Sequence, residues 1–382
     1  MRLRLRVALI VSMLSLGCAS HAPRTESVRS DPLVVELQRK LDSLRATAAF
    51  PGATFGIALR DGRTIGLATG FADTALRIAL RPSDRLMQGS VGKTYVAAVA
   101  MQLVQEGKLS LDAPISRYLG TRSWFSRLPN ARTITVRDLM RHTSGLVRYE
   151  FDERFTKALT ENPMREWTPE QEIAFLLDQR PPFAAGEGWE YSDTNYIVLG
   201  LILEQITGER YYDLLRTRLL TPLALRNTIP VSGPRIPGLA QGYAGKKNAF
   251  GGSDAMLVNG SMIINPAFEW TGGGIASTSE DLARWAKLLY EGKAFDAALL
   301  PRVFDAVAAK LGPNTKYGLG VIVRESPLGT TYGHSGFFPG YATEMLYVPT
   351  SGIAVAIQVN TSDPYPRGLV RFLLEMAATA NR

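Results

Sequence analysis

The chain has 382 residues, 46% of them hydrophobic and 20% charged, a composition with enough apolar material for a sizeable core and no bias toward disorder. Its formal net charge is +8. Basic residues are scattered along the chain, so no stretch reads as a nucleic-acid patch, and the mild positive balance identifies no partner.

Arg2, Arg4 and Arg6 precede an apolar run from Val7 to Leu16. That run is too short to span a bilayer, which takes about 20 residues, and it fits a secretory signal over residues 1–17. Cys18, the sole cysteine, follows Gly17 where a bacterial lipoprotein would carry its lipidated cysteine, although Ser15 stands where that signal usually has Leu. Cleavage near Ala19 or Ala22 is the alternative, with Cys18 discarded. The expectation is an exported, periplasmic or cell-envelope protein whose membrane contact is a lipid anchor at Cys18. Without the leader the balance is 40 Lys+Arg to 35 Asp+Glu. Residues 18–32, polar with Pro23 and Pro32, read as a tether.

From Leu33 to Leu44 apolar residues recur at helical spacing. Strand-like runs follow over Ala53–Leu59 and Thr64–Thr69, joined by a turn at Asp61-Gly62. Ser90–Glu106 reads as one long apolar helix, and Thr135–His142 as a short one with a Thr cap and Gly145 as its stop. Asn195–Ile206 is a third, ended by Gly208. Ser277-Thr278-Ser279-Glu280 has the pattern of a capping box opening the amphipathic run Asp281–Leu289. Tyr317–Val323, Ala342–Val348 and Gly352–Val359 read as strands, and Arg367–Ala380 as a closing helix. The ends of the chain thus supply strands and the middle supplies helices. The expected fold is mixed α/β, an antiparallel sheet built from both termini over residues 33–382, with flanking helices and a mostly helical insert over about 89–274. Trp167, Trp189, Tyr243 and Trp270 are expected to shape a pocket from that insert.

Three short patterns carry chemistry. Ser90-Val91-Gly92-Lys93 is the chain's single Ser-x-x-Lys, placed where a loop meets a helix. Residues i and i+3 share a helical face, so the lysine can reach the serine hydroxyl. A serine hydroxyl attacks poorly until a neighbouring base takes its proton. Lysine can be that base only when desolvated or next to other cations. Tyr191-Ser192-Asp193 offers a tyrosine that could act as a general base, or a packing aromatic with an Asp helix cap. His334-Ser335-Gly336, between candidate strands, offers close backbone approach to a ligand, or a turn with an exposed histidine.

In this order the three patterns resemble the serine β-lactamase and penicillin-binding superfamily, in the branch of class C β-lactamases, D-alanyl-D-alanine carboxypeptidases, D-aminopeptidases and related esterases. Leu139–Leu146, Tyr191–Gly200, Pro222-Leu223, Thr271–Leu282 and Tyr317–Gly320 look similar too, so the resemblance spans about 46–360. It implies a serine hydrolase working through an acyl-enzyme on amide or ester bonds: D-amino-acid peptides, cell-wall fragments or esters. Ser90 would be the nucleophile, with Lys93 and Tyr191 handling its proton. Backbone N–H groups of Ser90 and Phe337 would hold the oxyanion, and Asp193, His334, Ser335 and Gly336 would line the substrate site. No cofactor or metal is implied.

Two positions depart from the family pattern. Asp193 replaces the usual Asn, and a carboxylate beside Lys93 would hold it charged and make it a poorer base. His334 replaces the lysine of β-lactamases, which lowers the expectation of efficient β-lactam hydrolysis. β-Lactam hydrolysis and non-catalytic binding of cell-wall peptides are the alternative functions. A Ser-His-Asp triad is poorly supported: of three histidines His21 lies in the tether, and no Gly-x-Ser-x-Gly is present. His142 is expected to be structural, its charge or N–H meeting free carbonyls at a helix end. There is no His-Glu-x-x-His, no Cys/His cluster and no phosphate loop at Gly272–Gly274 or Tyr290–Lys293.

Overall fold

The computed structural model describes residues 31–245 and 254–382. The Arg2–Leu16 leader, Cys18 and the tether up to residue 30 lie outside them.

A nine-stranded antiparallel sheet organises the chain. Its strands are β1 (Gly52–Ala58), β2 (Thr64–Asp73), β3 (Ile78–Ala79), β4 (Val307–Ala308), β5 (Thr315–Tyr317), β6 (Ile322–Ser326), β7 (Gly329–Phe338), β8 (Tyr341–Val348) and β9 (Ile353–Val359). The spatial order is β3-β2-β1-β9-β8-β7-β6-β5-β4. The N-terminal hairpin pairs with the last strand, Phe55 facing Ile357 across the β1–β9 ladder, so the sheet closes only when both ends of the chain are in place. β1, β8 and β9 are buried along their whole length, because helices cover both faces.

On one face lie α1 (Pro32–Ala48) and the terminal α7 (Leu369–Ala380). Leu37, Leu41, Phe372 and Leu373 pack there on Phe55, Ile57, Val355 and Ile357. The other face carries α6 (Ser279–Tyr290) and the helices of the central segment: α2 (Lys93–Gln105), α3 (Val136–Arg141), α4 (Glu153–Glu161) and α5 (Thr194–Thr207). Tyr95 of α2 stacks on Trp285 of α6 with centroids 4.1 Å apart. Trp285 donates its indole N–H to Thr94 Oγ1 at 2.8 Å.

Several local expectations change. Tyr317–Val323 is not one strand: Gly318 N–H bonds Val321 O at 2.8 Å, making a turn that separates β5 from β6. His334 lies inside a ten-residue strand, β7, and not between strands. Its glycines hid it, and they serve close contact: a β-carbon at Gly333 would come within 1.9 Å of Met345 O on β8. The cap of α6 is Thr278, accepting from Asp281 N–H, one residue later than expected. Glu280 instead accepts from Thr64 Oγ1 on β2. The helix before His142 ends at His142 itself, in the left-handed conformation, so Gly145 is not its stop. Gly89–Gly92 forms a 3₁₀ turn, and the α-helix proper starts at Lys93.

Close approach also fixes α6 on the sheet. A β-carbon at Gly56 would lie 1.9 Å from the Ser279 carbonyl oxygen, a backbone atom that cannot swing aside. Gly56→Ala is expected to destabilise the fold by about 1–3 kcal/mol or more, read as a lower urea midpoint. At Gly233 nothing lies within 4 Å, so Gly233→Ala should leave the midpoint in place. An unshifted Gly56→Ala midpoint would contradict this packing.

Candidate active site

The 3₁₀ turn Gly89–Gly92 sits against β7 through glycines on both partners. A β-carbon at Gly336 would stand 1.9 Å from Gln88 O, and one at Gly89 would stand 2.3 Å from Phe337 O. Gly336 was expected to admit a ligand's backbone; it admits the protein's own loop. The consequence is that Ser90 lies beside β7, at the edge left free where β6 stops pairing at Gly333.

Ser90 Oγ accepts from Lys93 Nζ at 3.0 Å, as one helical turn predicts. The rest of the lysine's surroundings is non-local. Its side chain is fully buried and donates to Gly272 O at 2.5 Å and to the Asp193 carboxylate. Burial alone would lower the Lys93 pKa, but the Asp193 charge overrides it and holds the ammonium protonated above its ordinary range. The same pairing keeps Asp193 ionised. Burial would raise its pKa, yet Lys93, a hydrogen bond from Glu150 and Arg148 hold it well below the usual carboxylate range. Asp193 opens α5 but makes no capping hydrogen bond. Its other oxygen takes a 3.0 Å bond from Arg148, which also donates to Glu150 at 2.8 Å. Burial and Asp193 together push Glu150 well above the carboxylate range.

Tyr191 lies over this pair, with Lys93 Nζ 5.1 Å and the Arg148 guanidinium carbon 5.5 Å from its ring centroid. Its hydroxyl is buried and completes no hydrogen bond. Burial pushes its pKa up to about 12, with the Lys93 charge pulling the other way. His142 holds the ring in place. Its imidazole lies tilted against Tyr191 with centroids 4.2 Å apart, and its Nδ1 accepts from Ser192 N–H at 3.2 Å and from Asn195 Nδ2 at 3.0 Å. Burial carries His142 far below its ordinary pKa, so it is neutral. Its backbone N–H does meet the last carbonyls of α3, as expected, while the side chain packs against Tyr191 without a charge.

His334 is equally uncharged. Nδ1–H donates to Ser335 O at 2.6 Å, which leaves Nε2 to accept from Tyr317 O–H at 2.8 Å. Burial brings its pKa down to about 3. Arg324 of β6 is a cation on the cleft wall and donates to Ser335 Oγ at 2.7 Å. Ser335 in turn donates to Glu344 at 2.9 Å.

Ser90, Tyr191, Asp193, His334, Ser335, Gly336 and Phe337 all line a single cleft of about 1230 Å³; Lys93 lies beneath its floor. Arg148, Glu150, Glu269 and Arg324 line it too and were missed in the sequence, where isolated Arg and Glu residues read as ordinary surface charge. Of the four aromatics expected to shape the pocket, Trp189 does so. Trp167 packs on Phe155 and Phe175, Tyr243 takes hydrogen bonds from Thr74, and Trp270 meets Tyr211 edge-on.

Residues 37–380 match the Beta-lactamase family. Penicillin-binding protein 4 of Amycolatopsis lactamdurans is 28% identical over 339 residues, covering 85% of this chain and 84% of that protein. A D-aminopeptidase of Brucella ovis is 24% identical over 312 residues, 81% of this chain but only 56% of that protein. Among solved structures, the D-stereospecific amidohydrolase from a Streptomyces species superposes with a TM-score of 0.76 at 26% identity, covering 89% of this chain and 97% of that one. The D-amino acid amidase from Ochrobactrum anthropi SV3, complexed with L-phenylalanine amide, gives 0.77 at 25% identity over 91% of this chain and 98% of that one. With the family matched along nearly its whole described length, the chain belongs to the beta-lactamase family of serine hydrolases.

Proposed function

We propose that the chain hydrolyses amide bonds of D-amino-acid derivatives or short peptides through an acyl-enzyme on Ser90. The observation that carries this reading is the Ser90 hydroxyl at 3.0 Å from a fully buried Lys93 Nζ, at an open cleft. Similarity to an amidase, an amidohydrolase and a D-aminopeptidase supports amides over other acyl substrates.

Ser90 Oγ attacks the carbonyl carbon. Its proton passes into the Lys93–Tyr191 pair and from there to the departing amine, and a water then releases the acyl group by the reverse path. The backbone N–H groups of Ser90 and Phe337 stabilise the tetrahedral oxyanion. Neutral His334 orients Tyr317 and the β7 backbone and brings no charge to a substrate carboxylate; Arg324, tied to Ser335, is the group that can. We also propose export, on the Arg2–Leu16 leader pattern, with Cys18 as a lipid anchor.

Ser90 is tested by intact mass after treatment with a fluorophosphonate. The wild-type protein should gain one adduct and Ser90→Ala none; no adduct on the wild type would mean that Ser90 is not activated, and would favour the peptide-binding alternative.

The Asp193 carboxylate raises the pKa of both Lys93 and Tyr191. Whichever of them takes the serine proton must first be in its deprotonated form, so kcat/KM should rise into the alkaline range. Asp193→Asn removes the negative charge, lowers both pKa values and should move the rising limb to lower pH. A limb that stays in place, or moves up, would show that neither group limits the reaction.

A further inference from the structure

The titratable and charged groups around the Lys93–Tyr191 pair come from several elements. Asp193 and Tyr196 face it from α5, His142 from the end of α3, and Arg148 and Glu150 from the segment that follows. Glu269 faces it from the turn Pro266–Glu269, and Tyr317 and His334 from β5 and β7. Most of them carry no charge at neutral pH. Burial lowers the pKa of both histidines and raises that of Tyr196 and Tyr317. It also raises Glu150 well above the carboxylate range and Glu269 to about 8. Of these groups, Asp193 is left as the negative charge and Arg148 as the positive one that stands opposite it.

Backbone contacts on either side of Arg148 set it against Asp193. The carbonyl of Val147 accepts from the hydroxyls of Ser192 at 3.1 Å and Thr194 at 2.8 Å, the two residues that flank Asp193. On the other side, Tyr149 N–H donates to Thr194 Oγ1 at 3.3 Å. Arg148 Nη2 donates at 3.0 Å to the Asp193 oxygen that Lys93 does not take, and Nε donates to Glu150 at 2.8 Å. Its guanidinium carbon lies 4.1 Å from the Phe151 ring centroid, so an aromatic covers one of its faces. A carboxylate that met Lys93 alone would hold the lysine protonated and oppose ionisation of Tyr191. Arginine is suited to offset it, being charged at every working pH and able to serve two acceptors with one planar fork.

We propose that Arg148 is a positioning residue for the proton-transfer step. It acts through Asp193, neutralising a carboxylate that would otherwise lock the Lys93–Tyr191 pair in its protonated form. This rests on the hydrolase reading above and deepens it.

The rate of fluorophosphonate labelling, followed against pH, tests the proposal without a chosen substrate. The Ser90 Oγ–P bond forms, fluoride leaves with the P–F electron pair, and the serine proton passes to the Lys93–Tyr191 pair. In Arg148→Gln, which keeps a polar group for Asp193 but no charge, the rising limb should move up by about one pH unit or more. Labelling at neutral pH should then slow roughly tenfold or more. Arg148→Lys keeps the charge and should hold the limb near its wild-type position. In the Asp193→Asn background no carboxylate remains to offset, so adding Arg148→Gln should slow labelling less than about threefold.

A residue that only shapes the loop would lower the plateau rate and leave the limb in place, and that result overturns the inference. Equal slowing by Arg148→Gln with and without Asp193→Asn overturns it too, because Arg148 would then act on Tyr191 directly. Should Arg148→Gln alone fail to fold by circular dichroism, the Asp193→Asn protein with and without it decides. Near-equal labelling of those two upholds the inference, and a tenfold loss overturns it. A wild type that does not label overturns the hydrolase reading and this inference with it, whereas a labelled wild type leaves Ser90 assigned whatever the Arg148 variants do.

Discussion

A fully buried ammonium is the constraint on which this site depends. Lys93 can stay charged without water only because three acceptors converge on it: the hydroxyl one turn back, a backbone carbonyl at Gly272, and the Asp193 carboxylate at the start of α5. A buried charge that loses its partner costs several kcal/mol, so these three segments, far apart in sequence, are held to one another as firmly as a core contact would hold them. Asp193 carries the demand outward. Its second oxygen takes Arg148, and Arg148 takes Glu150. The outcome is a polar network behind Ser90 in which Lys93, Asp193 and Arg148 alternate in sign and Glu150 ends the series uncharged.

The glycines at the junction of loop and strand are the second requirement. Gln88 O and Phe337 O approach Gly336 and Gly89 so closely that no side chain fits at either position. That contact puts Ser90 against the free edge of β7 and keeps the β7 backbone available to a substrate. His334, neutral and hydrogen-bonded at both nitrogens, stiffens the strand at the same place, with Tyr317 as its partner. Rigid backbone placement of this kind is what electrostatic stabilisation of an oxyanion requires.

The family relationship sets the fold and the reaction type, while substrate choice is written in the cleft walls. Neutral His334 and cationic Arg324 on one side, and the Asp193–Arg148–Glu150 network with Glu269 on the other, are features of this chain's own residues.

Much of this was legible in the sequence, for a physical reason in each case. The helices of residues 33–44 and 195–206, the hairpin at Asp61-Gly62 and the strands after 342 announced themselves because periodicity and turn chemistry act over a few residues. The Ser90–Lys93 contact was legible for the same reason, being one helical turn. β7 was not, because its glycines serve contacts with Met345, Gln88 and Phe337 that lie far away in the chain. The turn at Gly318 and the inward placement of His142 were hidden likewise. The sequence by itself determined most of the elements, the Ser90–Lys93 contact and the family. Only the tertiary structure decided that Asp193 faces Lys93, that His334 is uncharged, and that Arg148, Arg324 and Glu269 share the cleft. Charge state and partnership depend on burial and on neighbours tens to hundreds of residues away, and no local pattern encodes them.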